Sequence, residues 1–493
     1  MATIRRRRFL QGAAGAAATV ALGGPFQGFT ALAANANGRD RQNTLRAVPD
    51  LRDGKVRLWL PDKFQYRSFH DTDLPPGSFV TLDDGTRLPG RHDGMGAFGL
   101  PNGNVLLVRN HEINGPVSAA FGPGTPYDNH AGSGTTSVEV TSYGEVVRSF
   151  TSLNGTQMNC SGGIMPWGSW VTCEETVNGP DVGPDFTGAS NVTLEERHGF
   201  LFEVPAGGQS DRQPITAAGR FAHEAVAFDP REGILYLTED NFGFPSGFYR
   251  YVPTANPMRT GRLGNAGRLQ MLAVAGRPNA HLEAEGIAGT SYAVEWVDID
   301  DPNPSFPYTP GQPAPTSNND AISYVGNQGR AQGAAHFSRL EGAVYDRGVV
   351  YWTSTQGGGP AETGPDTLGG YGNGHGQVWA YEPRARRLTL VYQSPGADVL
   401  DFPDNVTTSP RGTLILCEDN TNDNYLRGLT RKGELFDVAL NRMRSNTDAA
   451  ADRSGDEFAG STFSPDGRTL FVNIQASRGI TYAIWGPWGR IGV

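Results

Sequence analysis

Cysteine is scarce in this chain of 493 residues. Cys160, Cys173 and Cys417 are an odd number and give no disulfide framework. Charge is sparse too, at 19% of residues, and the balance is negative, −10 at pH 7. That sign argues against nucleic acid or an anionic membrane surface as a partner. After the first 33 residues no run approaches the length of a membrane span, and no long helical periodicity appears. Several catalytic signatures are also missing. There is no HExxH, no GxSxG elbow, no phosphate-binding P-loop and no CxxC pair.

Glycine and proline are plentiful, 66 and 34 residues, which suits many short strands joined by turns. The strands come in a repeat. GNVLLVRNHE (103–112), GSWVTCEET (168–176), GILYLTEDN (233–241), GVVYWTSTQ (348–356), GTLILCEDN (412–420) and GRTLFVNIQ (467–475) each run from a glycine turn through a β-rich stretch to a polar end. Each follows a strand-like run that opens on polar residues: His92-Asp93-Gly94, Asn159-Cys160-Ser161, His223-Glu224, Arg339-Leu340-Glu341, Asp404-Asn405 and Asp456-Glu457. In an antiparallel hairpin the start of the first strand and the end of the second share one edge. Six hairpins, at 92–112, 159–176, 223–241, 339–356, 404–420 and 456–475, therefore aim their polar ends at one end of a common axis. Intervals of roughly 50–70 residues, with one long insertion before 339, suit four-stranded blades. The expected fold is all-β, a six-bladed β-propeller with loop insertions.

The ends of the chain add to this. Arg5-Arg6-Arg7-Arg8-Phe9-Leu10 resembles a twin-arginine export signal, followed by a small-residue apolar run and Ala31-Leu32-Ala33 as a cleavage signal. Residues 1–33 are thus expected to be a leader, 34–55 a loose mature N-terminus, and 56–493 a single propeller domain. One strand within 56–86 is expected to close the ring against the C-terminal segment, where Ile480–Trp485 completes the last blade. The Gly-rich 357–376 reads as a surface loop or lid, and His281, Glu283 and Glu285 as surface residues of a long insertion.

At the common edge the sequence gathers Asp93, Glu112, Glu174, Glu175, Glu224, Glu239, Asp240, Glu341, Asp404, Glu418, Asp419, Asp456 and Glu457, with asparagines, Cys160, His92, His111 and His223. Even half of these acids cannot be buried together without cations. Oxygen donors suit hard cations such as Ca2+; a thiolate and an imidazole or two suit a transition metal. Arg339, beside Glu341, fits either a bidentate clamp for an anionic substrate or an ion pair holding a carboxylate. Cys173 and Cys417 share one slot of the repeat and fit either buried small hydrophobes or a mutual pair.

The leader, HDGMGAF (92–98), NHE (110–112), NCSGG and PWGSWVTCEE (159–175), GRFAHEA (219–225), TEDN (238–241), RLEG (339–342), FPDN (402–405), CEDN (417–420) and FSPDGRTLFVNIQ (463–475) resemble the PhoX-type alkaline phosphatases over about residues 90–475. That resemblance implies a six-bladed propeller with ferric (Fe3+) and calcium (Ca2+) ions on its axis. It implies Cys160 as an iron ligand. Glu175, Glu224, Asp240, Glu341, Glu418 and Glu457 follow as metal ligands, and Glu112 and Asp404 complete the set. Arg339 is the implied phosphate clamp, with Glu341 beside it in the catalytic pair. The implied reaction is hydrolysis of small phosphate monoesters by a metal-activated water, in an exported protein of the periplasm or beyond. Two other classes stay open on the residues alone. One is a calcium-dependent propeller lactonase or esterase; the other is a non-enzymatic binding propeller stabilised by calcium.

Overall fold

All six expected hairpins are antiparallel strand pairs in the computed structural model, which describes residues 44–493. The expected leader lies outside the described residues. The first strands of the pairs are His92–Gly99, Asn159–Met165, His223–Asp229, Leu340–Asp346, Pro403–Thr408 and Glu457–Phe463. These six inner strands pack in sequence order, each against the next, and the sixth returns to the first. They surround one axis. The fold is all-β and propeller-like.

Outward from the axis the strands add in chain order. The first sheet continues through Val105–His111, Ser133–Val140 and Val146–Thr156. The second has three strands, ending at Leu201–Pro205. The sheets carrying the third and fourth inner strands are fused: Ser291–Asp298 pairs at its edge with Arg387–Gln393, giving one nine-stranded sheet. Five sheets result. The last sheet is finished by an N-terminal strand, Gln65–Phe69, paired with Ile480–Trp485. This joins the two ends of the chain and closes the ring, as the sequence leads one to expect.

The second strand of each hairpin shows why the ring holds. Its alternate residues face opposite neighbours, as the two-residue period of a strand requires. Val105 and Leu107 pack with Phe471 and Ala483 of the last sheet, while Leu106 and Val108 pack with Trp170 and Phe202 of the second. Val171 and Cys173 meet Leu235 and Leu237, and Ile234 and Tyr236 meet Val350 and Trp352. Val349 and Tyr351 meet Leu414 and Leu416; Ile415 and Cys417 meet Leu470 and Val472. Each such fully buried side chain stabilises the fold by about 1.5–3 kcal/mol relative to exposure. Cys173 and Cys417 therefore act as small hydrophobes in two different inter-sheet cores, and all three thiols are free.

Three features depart from the sequence reading. Within the 34–55 segment expected to be loose, Arg46–Pro49 is a strand paired with Val56–Leu60. A helix, Asn318–Ala331, lies in the long insertion, capped by the Ser317 hydroxyl accepting from Asp320 N at 3.1 Å. Glu283, expected at the surface, is 1% exposed and bonds His281 Nδ1 at 2.5 Å.

Candidate metal centre

Every hairpin carries a bulge near the start of its inner strand. His92 pairs with His111 and the next pair is Met95 with Arg109, so Asp93 and Gly94 stand opposite a single residue. The same two-against-one count sets off Cys160 and Ser161, Glu224 and Ala225, Glu341 and Gly342, and Asp404 and Asn405. In the sixth hairpin it falls on Gly460 and Ser461. A bulge kinks the strand and re-aims a side chain. Here five bulges carry Asp93, Cys160, Glu224, Glu341 and Asp404 on five successive strands around the axis. Glycine follows two of these acids because the neighbouring strand is too close for a Cβ. One on Gly94 would lie 2.5 Å from Ser161 Cα, and one on Gly342 would lie 2.5 Å from Val406 N.

The second strands supply the other half of the cluster, and alternation decides which acid. In each Glu-Glu, Glu-Asp or Glu-Asp-Asn ending the first acid turns outward and ties a loop. Glu174 accepts from Gln157 N, Gly199 N and Phe200 N and bonds His198 Nδ1 at 2.6 Å. Glu239 accepts from Gly247 N and the Tyr249 hydroxyl. Glu418 accepts from Asp401 N and Tyr425 N and is paired with Arg427 Nε at 2.9 Å. Glu418 is thus withdrawn from the expected ligand set: it is a loop anchor. The second acids, Glu175, Asp240 and Asp419, face the cluster, and Asp419 takes the place expected of Glu418.

Burial, with neighbouring acids adding to it, drives the cluster away from ordinary carboxylate behaviour. Desolvation and then Glu112 and Asp404 push Asp93 well up. Desolvation and then Glu341 and Asp404 do the same to Glu224. Glu175 rises from burial and the charge of Asp240, Glu341 from burial and Asp240, and Glu457 from burial and Asp419. Asp404 is pushed up to about 7, by burial first and Asp419 second. Burial also raises Asp419 and Glu112. The Cys160 thiol is raised well above its usual range by burial, then by Glu224 and Glu175. Two guanidiniums answer these charges. Arg339 holds Asp240 with Nη2 at 2.8 Å from Oδ2 and reaches Glu341 Oε1 at 3.2 Å. Arg91 grips Glu112, with Nε 3.1 Å from Oε2, and Gln475 donates to the same carboxylate.

Two sets of side chains can each close on one ion. Ligand atoms of Cys160, Glu175 and Glu224 lie within 4.8 Å of one another, as do those of Glu224, Glu341 and Asp404. Glu224 belongs to both, so one carboxylate joins two adjacent positions. The donor chemistry fits cations. A buried thiol and carboxylates held above their normal range need a positive charge to remain ionised together. The sulfur-bearing set suits a softer ion and the all-oxygen set a hard one. The expected imidazoles are not part of either set. His92, His111 and His223 sit at in-register positions beside the bulges and bond the backbone carbonyls of Pro89, Gly90 and Gly219. Glu112 and Glu457 join the cluster through its charges without falling in either ligand group.

Above this cluster opens a pocket of about 320 Å³ that includes Glu175, Asp240 and Arg339 and is walled by Phe186, Phe242, Phe244 and Ile322. Arg339 lies over the Phe242 ring, 5.3 Å from its centroid. Arg91 is a residue that motif reading misses. The repeat held a signal for it, since Arg91 precedes His92 as Arg339 precedes Leu340.

The geometry meets its relatives as follows. The family model described as alkaline phosphatase PhoX matches residues 134–477. The structure of Pseudomonas fluorescens PhoX in complex with vanadate, a transition-state analogue, aligns with a TM-score of 0.62 at 16% identity, covering 90% of this chain and 97% of that one. A gluconolactonase from Xanthomonas campestris aligns with a TM-score of 0.37 at 12% identity, over 91% of this chain and 100% of that one. No curated protein sequence matches the chain. With its family match spanning most of the sequence, the chain belongs to the PhoX alkaline phosphatase family and is a phosphatase.

Proposed function

We propose that this protein is an exported phosphomonoesterase whose six-bladed propeller holds a mixed cluster of Fe3+ and Ca2+ at one end of its axis. The blade count rests on the six inner strands, with the third and fourth blades fused at their outer edges. Iron is assigned to the Cys160, Glu175 and Glu224 set and calcium to the all-oxygen set that shares Glu224, with Asp93, Glu112, Asp419 and Glu457 extending the oxygen donors. Bound cations supply Lewis acidity toward phosphoryl oxygens and lower the pKa of a water.

The observation that carries the reading is the place of Arg339. Its guanidinium lines the pocket, next to the ligand groups, and is held there by Asp240 and Glu341. Asp240 takes the Nε and Nη2 donors, which leaves the Nη1 side to donate to phosphoryl oxygens and hold them as charge grows in the transition state. Phe242 beneath it favours the cation. Asp240 and Glu341 orient the fork. The alternatives left open by the sequence, a calcium lactonase or a binding propeller, need neither a thiolate nor such a clamp.

Residues 1–33, with the paired arginines and Ala31-Leu32-Ala33, support export by the twin-arginine machinery and a periplasmic or secreted location. The test is metal analysis of the purified protein together with hydrolysis of p-nitrophenyl phosphate and inhibition by vanadate. Iron with calcium, monoester turnover and vanadate inhibition are expected. Calcium alone, without monoester turnover, would overturn the assignment.

A further inference from the structure

Part of the pocket lining is apolar and aromatic, though Glu175, Asp240 and Arg339 in the same lining are charged. Phe186 is 74% exposed and Phe242 46% exposed, and both line the same pocket as Arg339. A single exposed phenylalanine is ordinary. Two exposed rings and the half-buried Phe244 in one lining, together with Ile322 and Met158, are not.

The backbone that carries Phe186 and Phe242 is anchored. Phe186 follows Asp185, whose carboxylate accepts from Thr187 N at 2.8 Å, Ala189 N at 2.9 Å and Asn114 Nδ2 at 2.8 Å. Gly183 N bonds Thr316 O at 2.8 Å just before it. Phe242 accepts from Tyr371 N at 2.6 Å through its carbonyl, and the adjacent Gly243 packs against Thr367. The segment 357–376 thus buttresses the aromatic wall. An apolar ring presented from an anchored turn has only two χ angles to order when a flat ligand arrives, which is how aromatic contacts gain affinity at low entropic cost.

We infer that this wall is the leaving-group subsite, and that the preferred substrates are phosphate monoesters whose alcohol carries a flat aromatic ring. The inference rests on the phosphomonoesterase reading and names its substrate class. The phosphoryl group meets Arg339 and the cluster; the ring of the alcohol lies against Phe186 and Phe242. Asn318 and Asn319, half-buried and exposed in the same lining, can bond polar substituents of that ring. Small polyol phosphates make no use of the wall.

The experiment compares kcat/KM for 2-phenylethyl phosphate and ethyl phosphate with the metal-loaded protein. Both release alkyl alcohols of similar basicity, so their ratio reports contact with the ring and not leaving-group chemistry. An aromatic contact of this kind is worth about tenfold, and that preference is expected. Phe186→Ala should cut it to about threefold or less through a lower kcat/KM for 2-phenylethyl phosphate, with the metal content of the protein unchanged. A ratio near one in the parent protein, or a ratio untouched by Phe186→Ala, would overturn the subsite alone. Turnover of neither ester would overturn the phosphomonoesterase reading and the subsite with it.

Discussion

Arg91 and Arg339 occupy the same step of the repeat. Each stands one residue before an inner strand, in the left-handed backbone region at φ 45° and 38°, and each pairs with an acid at the end of a second strand, Glu112 and Asp240. A non-glycine residue there is uncommon and strained by about 1–3 kcal/mol. Met158 and Phe402 hold the same position before two other inner strands, at φ 42° and 49°. The backbone turn is therefore a property of the fold. What differs is the side chain it presents, and only Arg339 of the two arginines reaches the pocket.

Arg339 should accordingly be dispensable for the metals and indispensable for turnover. Arg339→Ala is expected to retain its metal complement and lose roughly 100-fold or more in kcat/KM for p-nitrophenyl phosphate, as removal of one preorganised charge donor does elsewhere. Arg339→Lys should recover little, because an ammonium lacks the bidentate fork. Metal analysis beside steady-state rates checks both. Loss of the ions in Arg339→Ala would make the arginine structural.

Cys160 separates the two candidate ligand groups. It belongs to one ligand group and not the other. Cys160→Ala is expected to lose the iron and its colour with the phosphatase activity, while calcium bound by the all-oxygen group persists. Elemental analysis and the visible absorption spectrum read the two outcomes independently of rate. Full activity in this variant would exclude a thiolate-bound ion from the reaction.

Much of this architecture was legible because the hairpins are short, turn-bounded and rich in β-forming apolar residues. Closure by Gln65–Phe69 was legible as well, since a propeller's last sheet needs a strand from the other end. What the sequence concealed was parity. Tandem acids such as Glu418-Asp419 look equivalent in a string, yet on a strand one must face away from the other. The endings at Glu174-Glu175 and Glu239-Asp240 send the second acid inward, and the same offset selects Asp419. The bulges hid for a related reason: nothing in Asn159-Cys160-Ser161 marks an extra residue until the partner strand is in register. The helix Asn318–Ala331 was concealed because it depends on tertiary contact, with Gly329 packed on Met271, more than on an apolar stripe.

The parity argument can be checked by a pair of substitutions. Asp419→Asn should lower cation binding and activity with little effect on unfolding. Glu418→Gln should do the reverse. It leaves Arg427, 8% exposed, with only Asp437 opposite it and two loop amides with a weaker acceptor. A cost on the order of 2–3 kcal/mol follows from breaking one side of such a buried pair, visible as a lowered midpoint in thermal unfolding. Equal loss of bound cation in both variants would show that both acids face the ions.

Removal of the ions should make stability depend on pH in a defined direction. Cluster acids whose folded pKa is raised, such as Asp404 at about 7, bind protons more tightly folded than unfolded. Their protonation supports the fold below the unfolded value near 4, and that support is lost as pH rises through 7. The chelated protein is therefore expected to unfold at progressively lower temperature between pH 5 and pH 8. With calcium and iron restored, the cations take over the neutralising role of those protons, and the midpoint should stay nearly level across the same range. Thermal unfolding at both pH values, with chelator and with ions, measures the difference. A chelated protein as stable at pH 8 as at pH 5 would mean that the nine clustered acids, Asp93, Glu112, Glu175, Glu224, Asp240, Glu341, Asp404, Asp419 and Glu457, are compensated by Arg91 and Arg339 alone.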